Sequence, residues 1–367
     1  MNTDRNSGGV GVAHDLRVAL RDLFDLHDVT VGSSGLVRLR GRLLRPAEEA
    51  YPLAAKRLRP LGYTPIFRRE GDDDLIQAMP QVLRAPRSSN WVGGILFVLT
   101  AASMLLVSLG MSGWDARQSV LSNLLGAVPY VATLLAILTA HELGHYFVGR
   151  HYGVPLTLPY FIPLPLSIFG TMGAVIRLKA PPVNRRVLLA MAVGGPLAGL
   201  AVALPLLVIG LKLSEVGPIV EYGLLEGNSL LYAAVKLIIF GRFLPGGGQD
   251  VYLHPVAFGA WAGLFVTGLN LIPAGQLDGG HIIYTLIGER ARYLGPALAV
   301  ALALLGILYW PGWFLLSGLL FVLGRVFAIP LDDITRLTRP QVVLAVAMLV
   351  VFLLIFVPIP WTPLPGG

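Results

Sequence analysis

Residues 126–149 read GAVPYVATLLAILTAHELGHYFVG. As a helix rising 1.5 Å per residue, such a run is long enough to cross the ~30 Å hydrocarbon core of a bilayer. It is apolar almost throughout, yet it carries His141, Glu142 and His145. An ionisable side chain in the middle of a span costs at least ~2.5 kcal/mol, so its presence demands a partner or a task. Positions i and i+4 share one helix face, which lets both imidazoles reach a single divalent metal while Glu142 reaches a water beside it. Chance would place His-Glu-x-x-His in a chain of this composition only about 0.003 times.

The rest of the chain has the same character. Of 367 residues, 55% are hydrophobic and 13% are charged, about half the charge of a soluble domain. The mean hydropathy is +0.70. Apolar runs fall at 91–112, 126–149, 187–211, 256–275, 293–309, 313–328 and 341–358. The fifth and sixth meet at Trp310-Pro311-Gly312, a turn signal that predicts a helical hairpin. The expected fold is an α-helical integral membrane protein of six to seven transmembrane helices in a lipid bilayer. Residues 155–181 interrupt the pattern, because Pro155, Pro159, Pro163 and Pro165 forbid a spanning helix. Non-helical backbone at membrane depth survives only against protein or a wet cavity. The stretch therefore reads as a membrane-dipping segment ending in a strand over 173–178.

Residues 1–88 hold 14 of the 28 Lys and Arg and 11 of the 21 acids. They read as a small soluble α+β domain, leaving 89–367 as the transmembrane domain. Helical spacing runs from Val12 to Leu26, followed by a strand over 36–44 in which Arg38, Arg40 and Arg42 alternate with apolar residues. A helix over Glu48–Leu61 and strands over 63–69 and 74–79 complete the domain. The formal net charge is +7, and basic residues flank the apolar runs, the positive-inside pattern. That placement argues against nucleic acid as a partner and puts the N-terminus in the cytoplasm. The opposite connection, 212–253, carries a net charge of −1. Met1–Val12 lacks the apolar core of a cleaved signal peptide, so the first span acts as the targeting signal. The Pro-rich tail from Pro358 to Gly367 is expected to be loose.

Catalytic zinc takes three protein ligands and leaves a position open. The chain has no cysteine, so a third ligand must be His, Asp or Glu. The strongest candidate lies in the sequence NLIPAGQLDGG, residues 270–280. Pro273 disrupts the helix ladder, and Gly275, Gly279 and Gly280 allow a sharp turn. Asp278 then sits at a helix break on the same side of the membrane as the two histidines; the plainer alternative is a helix cap. His281 is open to two readings, an interfacial polar residue or a donor to one of the ligands.

These paired motifs resemble the site-2 proteases, the intramembrane zinc metalloproteases of peptidase family M50. The resemblance covers about residues 91–290. It implies that His141, His145 and Asp278 ligate Zn²⁺, that Glu142 is the general base, and that Asn270 helps hold the substrate backbone. Two glycine runs, Phe169–Ala174 and Gly195–Gly199, are similar to further motifs of the family. Connection 212–253 leaves no room for the PDZ domain of many bacterial members. The chain looks more like the branch containing bacterial relatives of the plastid EGY proteins, in a prokaryotic cytoplasmic membrane.

The reading is an intramembrane zinc endopeptidase that hydrolyses peptide bonds in or beside the spans of membrane-anchored proteins, in regulated intramembrane proteolysis. Gly173, Ala174, Val175 and Ile176 are expected to pair with an extended substrate, since a strand edge binds peptide through its main chain. A zinc or solute transporter is the rival from another class, but its path would spread polar residues over several depths. An inactive scaffold of protease descent would not keep a complete ligand set.

Overall fold

In a computed structural model the described residues are 4–32, 34–83, 90–112, 117, 119–219 and 223–363. Residues 84–89, and with them the expected boundary between 88 and 89, lie outside this set. The chain forms two compact units.

The first unit contains Met1–Pro86 together with two later segments, Leu178–Leu188 and Ala328–Arg339. Helix α1 (Asp4–Leu20) leads to strands β1 (Phe24–Val31) and β2 (Val37–Leu43), then α2 (Ala47–Leu58), β3 (Thr64–Glu70) and β4 (Asp73–Met79). The four strands pair antiparallel in the order β1-β2-β4-β3. In β2, Val37, Leu39 and Gly41 are buried while Arg38, Arg40 and Arg42 are exposed, the two-residue period of a half-covered sheet. The spacing that predicts helix through Leu26 misleads, because α1 ends at Leu20 and β1 begins at Phe24. A bulge between Leu26 and Asp28 breaks the alternation that would have marked the strand.

Leu16, Leu20 and Leu58 bury against Leu39, Phe67 and Ile76 to form the core of this unit. The two later segments add to it through backbone bonds: Phe67 N–H donates to the Leu331 carbonyl at 2.8 Å, and Asp332 N–H to Val183 at 2.7 Å. Arg185 clasps Asp333 with two bonds of 2.8 and 2.9 Å, and Arg186 pairs with Glu48.

The second unit begins with α3 (Asn90–Ser112) and α4 (Val120–His151). The hairpin β5 (Tyr160–Pro163) and β6 (Thr171–Val175) follows, then α5 (Arg185–Lys212), whose first turn lies in the first unit. Next come β7 (Glu215–Pro218), β8 (Leu224–Glu226), α6 (Leu230–Phe240) and β9 (Gln249–Tyr252). Helices α7 (Pro255–Asn270), α8 (Asp278–Ile287), α9 (Leu294–Leu308), α10 (Trp313–Leu323) and α11 (Arg339–Ile355) and strand β10 (Trp361–Pro363) complete the chain.

Among the described residues, four stretches are long and apolar enough to cross a membrane: Trp91–Met111, Val120–His151, Arg185–Lys212 and Asp278–Leu308. The last joins α8 and α9 through a 3-10 turn, Gly288–Tyr293. Outward-facing leucines, valines and isoleucines cover α3, α9, α10 and α11, an apolar surface that a water-soluble monomer does not present on this scale. Helix α7 is shorter, 16 residues. Nearly all of its side chains from Ala257 to Gly268 are buried, so it is wrapped by protein.

The opposite connection is structured, and the tail departs from expectation. Segment 212–253 holds a helix, α6, with Ser229 capping its start and Gly241 its end. The tail is also anchored as far as it is described: Trp361–Pro363 pairs antiparallel with Leu224–Glu226, while 364–367 lie outside the described residues.

Candidate metal centre

His141 and His145 sit one turn apart on α4, both buried, with their rings 4.9 Å apart at 69°. Helix α7 stops at Asn270, and Leu271–Leu277 form a tight turn before α8 starts at Asp278. Glycine is required here: a Cβ on Gly279 would lie 2.0 Å from the Leu271 carbonyl oxygen, and one on Gly280 would lie 2.3 Å from that of Gly275. The turn delivers the Asp278 carboxylate to the histidines across 137 residues of sequence.

The three candidate ligand atoms form a small triangle. His141 Nε2 lies 3.2 Å from Asp278 Oδ2, His145 Nε2 lies 3.3 Å from the same oxygen, and the two Nε2 atoms are 3.1 Å apart. Zinc bonds of about 2.0–2.1 Å at tetrahedral angles would separate ligand atoms by about 3.3–3.4 Å. The observed edges match that figure to within a few tenths of an ångström. The protonation pattern also fits, because His145 Nδ1 lies 2.7 Å from the Met191 carbonyl. A carbonyl only accepts, so Nδ1 carries the proton and Nε2 keeps its lone pair for a cation. Among the described residues this is the one group of three His, Asp or Glu side chains able to hold a metal ion.

Helix α5 is cut to the shape of this site. A Cβ on Gly195 would fall 2.1 Å from His145 Nε2, and one on Gly199 would fall 3.3 Å from His141 Nδ1. Gly144 of α4 faces Gly194 of α5 with the same lack of room, 2.4 Å from a built Cβ to the Gly194 carbonyl oxygen. The glycines that the sequence offers only as a motif are therefore the surface against which both imidazoles lie.

Glu142 is 5% exposed. It sits beside the triangle, and the backbone of Ile176 faces its carboxylate. Ile176 follows β6, which pairs through Phe161↔Ala174 and Tyr160↔Val175 with β5 alone among the described strands. Its other edge carries no strand. The hairpin is pinned from outside: Ser103 Oγ donates to the Gly170 carbonyl at 2.7 Å, and Tyr130 Oη donates to that of Phe169 at 2.9 Å. Gly173 is buried and Val175 is exposed. Asn270 is the last residue of α7, eight positions before Asp278. His281 follows Asp278 by three positions on α8, and its Nδ1 is buried without a hydrogen-bond partner. The residue as a whole is half-buried.

The family described as Peptidase family M50 matches residues 129–308, the segment holding all four of His141, Glu142, His145 and Asp278. The probable zinc metalloprotease EGY2, chloroplastic, of Arabidopsis thaliana is 33% identical over 255 residues, covering 68% of this chain and 44% of its own length. A protein of the same description from Oryza sativa subsp. indica is 29% identical over 310 residues, covering 81% of this chain and 55% of its own. The chain therefore spans about half the length of these curated relatives. No solved structure matches it.

Proposed function

We propose that this chain is an intramembrane zinc endopeptidase, a reading supported by the match of residues 129–308 to the family described as Peptidase family M50. The observation that carries the reading is the triangle of His141, His145 and Asp278 at tetrahedral-edge distances, with Glu142 beside it. Zinc held there supplies Lewis acidity, polarising a peptide carbonyl and easing loss of a proton from water. Glu142 takes the proton from the attacking water and passes it to the departing amine. The His145–Met191 bond holds that imidazole in the ligating tautomer throughout. Burial of His141, Glu142 and His145 keeps bulk water out and strengthens each electrostatic contact.

The substrate is a membrane-anchored protein cut in or next to its span, in regulated intramembrane proteolysis. A helical carbonyl is engaged in its own ladder, so the scissile segment must be extended. The side of β6 that carries no strand among the described residues supports main-chain pairing of that segment along Gly173 to Val175 and at Ile176 just beyond the strand, with Gly173 first giving up its bonds to the Thr171 hydroxyl. The position of Asn270 at the end of α7 supports a hydrogen bond to it from the other side. Loop charges support a cytoplasmic N-terminus. The placement in a prokaryotic cytoplasmic membrane rests on the sequence motifs alone, and the matched plant proteins are named chloroplastic.

The test is purification of the full chain in detergent, elemental analysis, and cleavage of single-span substrates, with Glu142→Gln as control. A zinc content near one per chain with cleavage that depends on Glu142 is expected. Zinc-free protein that still cleaves would overturn the reading.

A further inference from the structure

Gly173 is buried, yet room is left beside it. A Cβ built on it would find its nearest neighbour outside the adjoining residues at 3.8 Å, Val266 Cγ1 of α7. Other buried glycines of this unit have no such room: Gly195, Gly210 and Gly279 would each place a Cβ within 2.3 Å of a neighbouring atom. Conformation, not crowding, keeps position 173 bare, because its φ of +99° is one that residues with a side chain rarely adopt. Val266 stands out in its own helix. From Ala257 to Gly268, Phe258 and Val266 are the two residues of α7 that keep exposed surface. Phe258 stacks with Tyr130 and Trp261, whereas Val266 faces Gly173. Asn270, also half-buried, follows one helical turn later on the same face.

A peptide lying along β6 sets the residue opposite Gly173 on the same face as that glycine, since cross-strand neighbours share a face with Cβ atoms about 4.5–5.5 Å apart. That face holds the unfilled room and the Val266 methyl. A side chain opposite a strand glycine can lean over it, and here Val266 sets how far. We propose that Gly173 and Val266 form a specificity pocket for one substrate side chain, a proposal that rests on the hydrolytic reading and its strand pairing. Gly173 supplies the room, and Val266 is the specificity-determining wall that limits the size of the occupant. The occupant is apolar, because the wall is a methyl group and burial there rewards apolar surface. Ile176, whose backbone faces the Glu142 carboxylate, stands three residues beyond Gly173, about 10 Å of extended chain. The side chain concerned therefore lies within about four positions of the scissile bond.

The test uses the full chain in detergent and a single-span substrate whose cut has been mapped by mass spectrometry. Each position within about four residues of the cut is set to Ala, Leu or Phe, and kcat/KM is measured. At one of them the parent should favour Leu over Phe by at least ~10-fold, the discrimination that a small change of size gives in an apolar pocket. Val266→Ala removes two methyl groups and should bring Phe to within ~3-fold of Leu at that position. Val266→Phe narrows the pocket and should lower Leu at least ~10-fold relative to Ala. Each figure is a ratio within one variant, so partial loss of active protein cancels. Capture gives a readout without turnover: Val266→Cys in a Glu142→Gln background should crosslink a substrate cysteine at that position more strongly than at its neighbours. If the parent shows no cleavage that depends on Glu142, the hydrolytic reading fails and the pocket falls with it. Cleavage that depends on Glu142, with ratios that neither Val266 variant moves or with no position separating Leu from Phe, would overturn the pocket alone. So would capture by Val266→Cys at no position near the cut.

Discussion

Gly195→Ala is a one-carbon change whose effect can be worked from the structure. The new Cβ would lie 2.1 Å from His145 Nε2 and 2.4 Å from its Cδ2 and Cε1. Ordinary contact begins at 3.4 Å, so the imidazole or α5 must retreat by at least 1.3 Å. Zinc–nitrogen bonds hold to within about 0.2 Å, so a shift of this size removes His145 from the ligand set. Alanine favours helix over glycine by about 1 kcal/mol, which offsets part of an overpacking cost of about 1–3 kcal/mol. The protein should therefore stay folded while zinc affinity falls at least ~100-fold. Gly199→Ala sets the scale: its Cβ would meet His141 at 3.3 Å, a squeeze of about a tenth of an ångström, and affinity should change by less than ~10-fold. Competition with a chromophoric chelator in detergent gives both affinities. Parental affinity in Gly195→Ala, or a larger loss in Gly199→Ala, would refute the claim that α5 shapes the site.

Three further outcomes follow from the same geometry. Glu142→Gln should keep parental zinc by elemental analysis and lose at least ~10²-fold in cleavage rate; cleavage at the parental rate would remove Glu142 as base. Asp278→Ala should lose the metal while His281 stays in place, and undiminished zinc in that variant would make His281 the first replacement ligand to test. Single cysteines at 172–177 in a Glu142→Gln background should capture a cysteine-bearing substrate near its scissile bond, an experiment made clean by a chain without native cysteine. Capture elsewhere but not along this run would sink strand pairing and leave the metal centre standing.

What the sequence could reveal depended on how far apart the cooperating residues stood. His141 and His145 are four residues apart, and helical periodicity alone puts them on one face. Asp278 stands 137 residues away from His141, and no local rule joins them; the absence of cysteine and the glycines around Asp278 narrowed the choice to it. The glycines of α5 were visible as a motif but silent as to purpose, because a missing side chain has meaning only beside what occupies its place. Here that is the His145 ring.

The same logic explains the helix that hydropathy passed over. Its local signals were present, with Ser229 at the N-cap and Gly241 in a left-handed conformation at the C-terminus. Taken locally, Lys236 in the middle of Leu230–Phe240 speaks against burial of this helix, since an unpaired buried ammonium is prohibitive. The objection fails only because Glu226 arrives from the N-terminal side and Asp250 from the C-terminal side, each within 4 Å of the ammonium. Charge is thus a sound local argument for exposure until the fold supplies counter-charges from elsewhere in the chain. In this protein it does so twice, at the candidate metal centre and at Lys236.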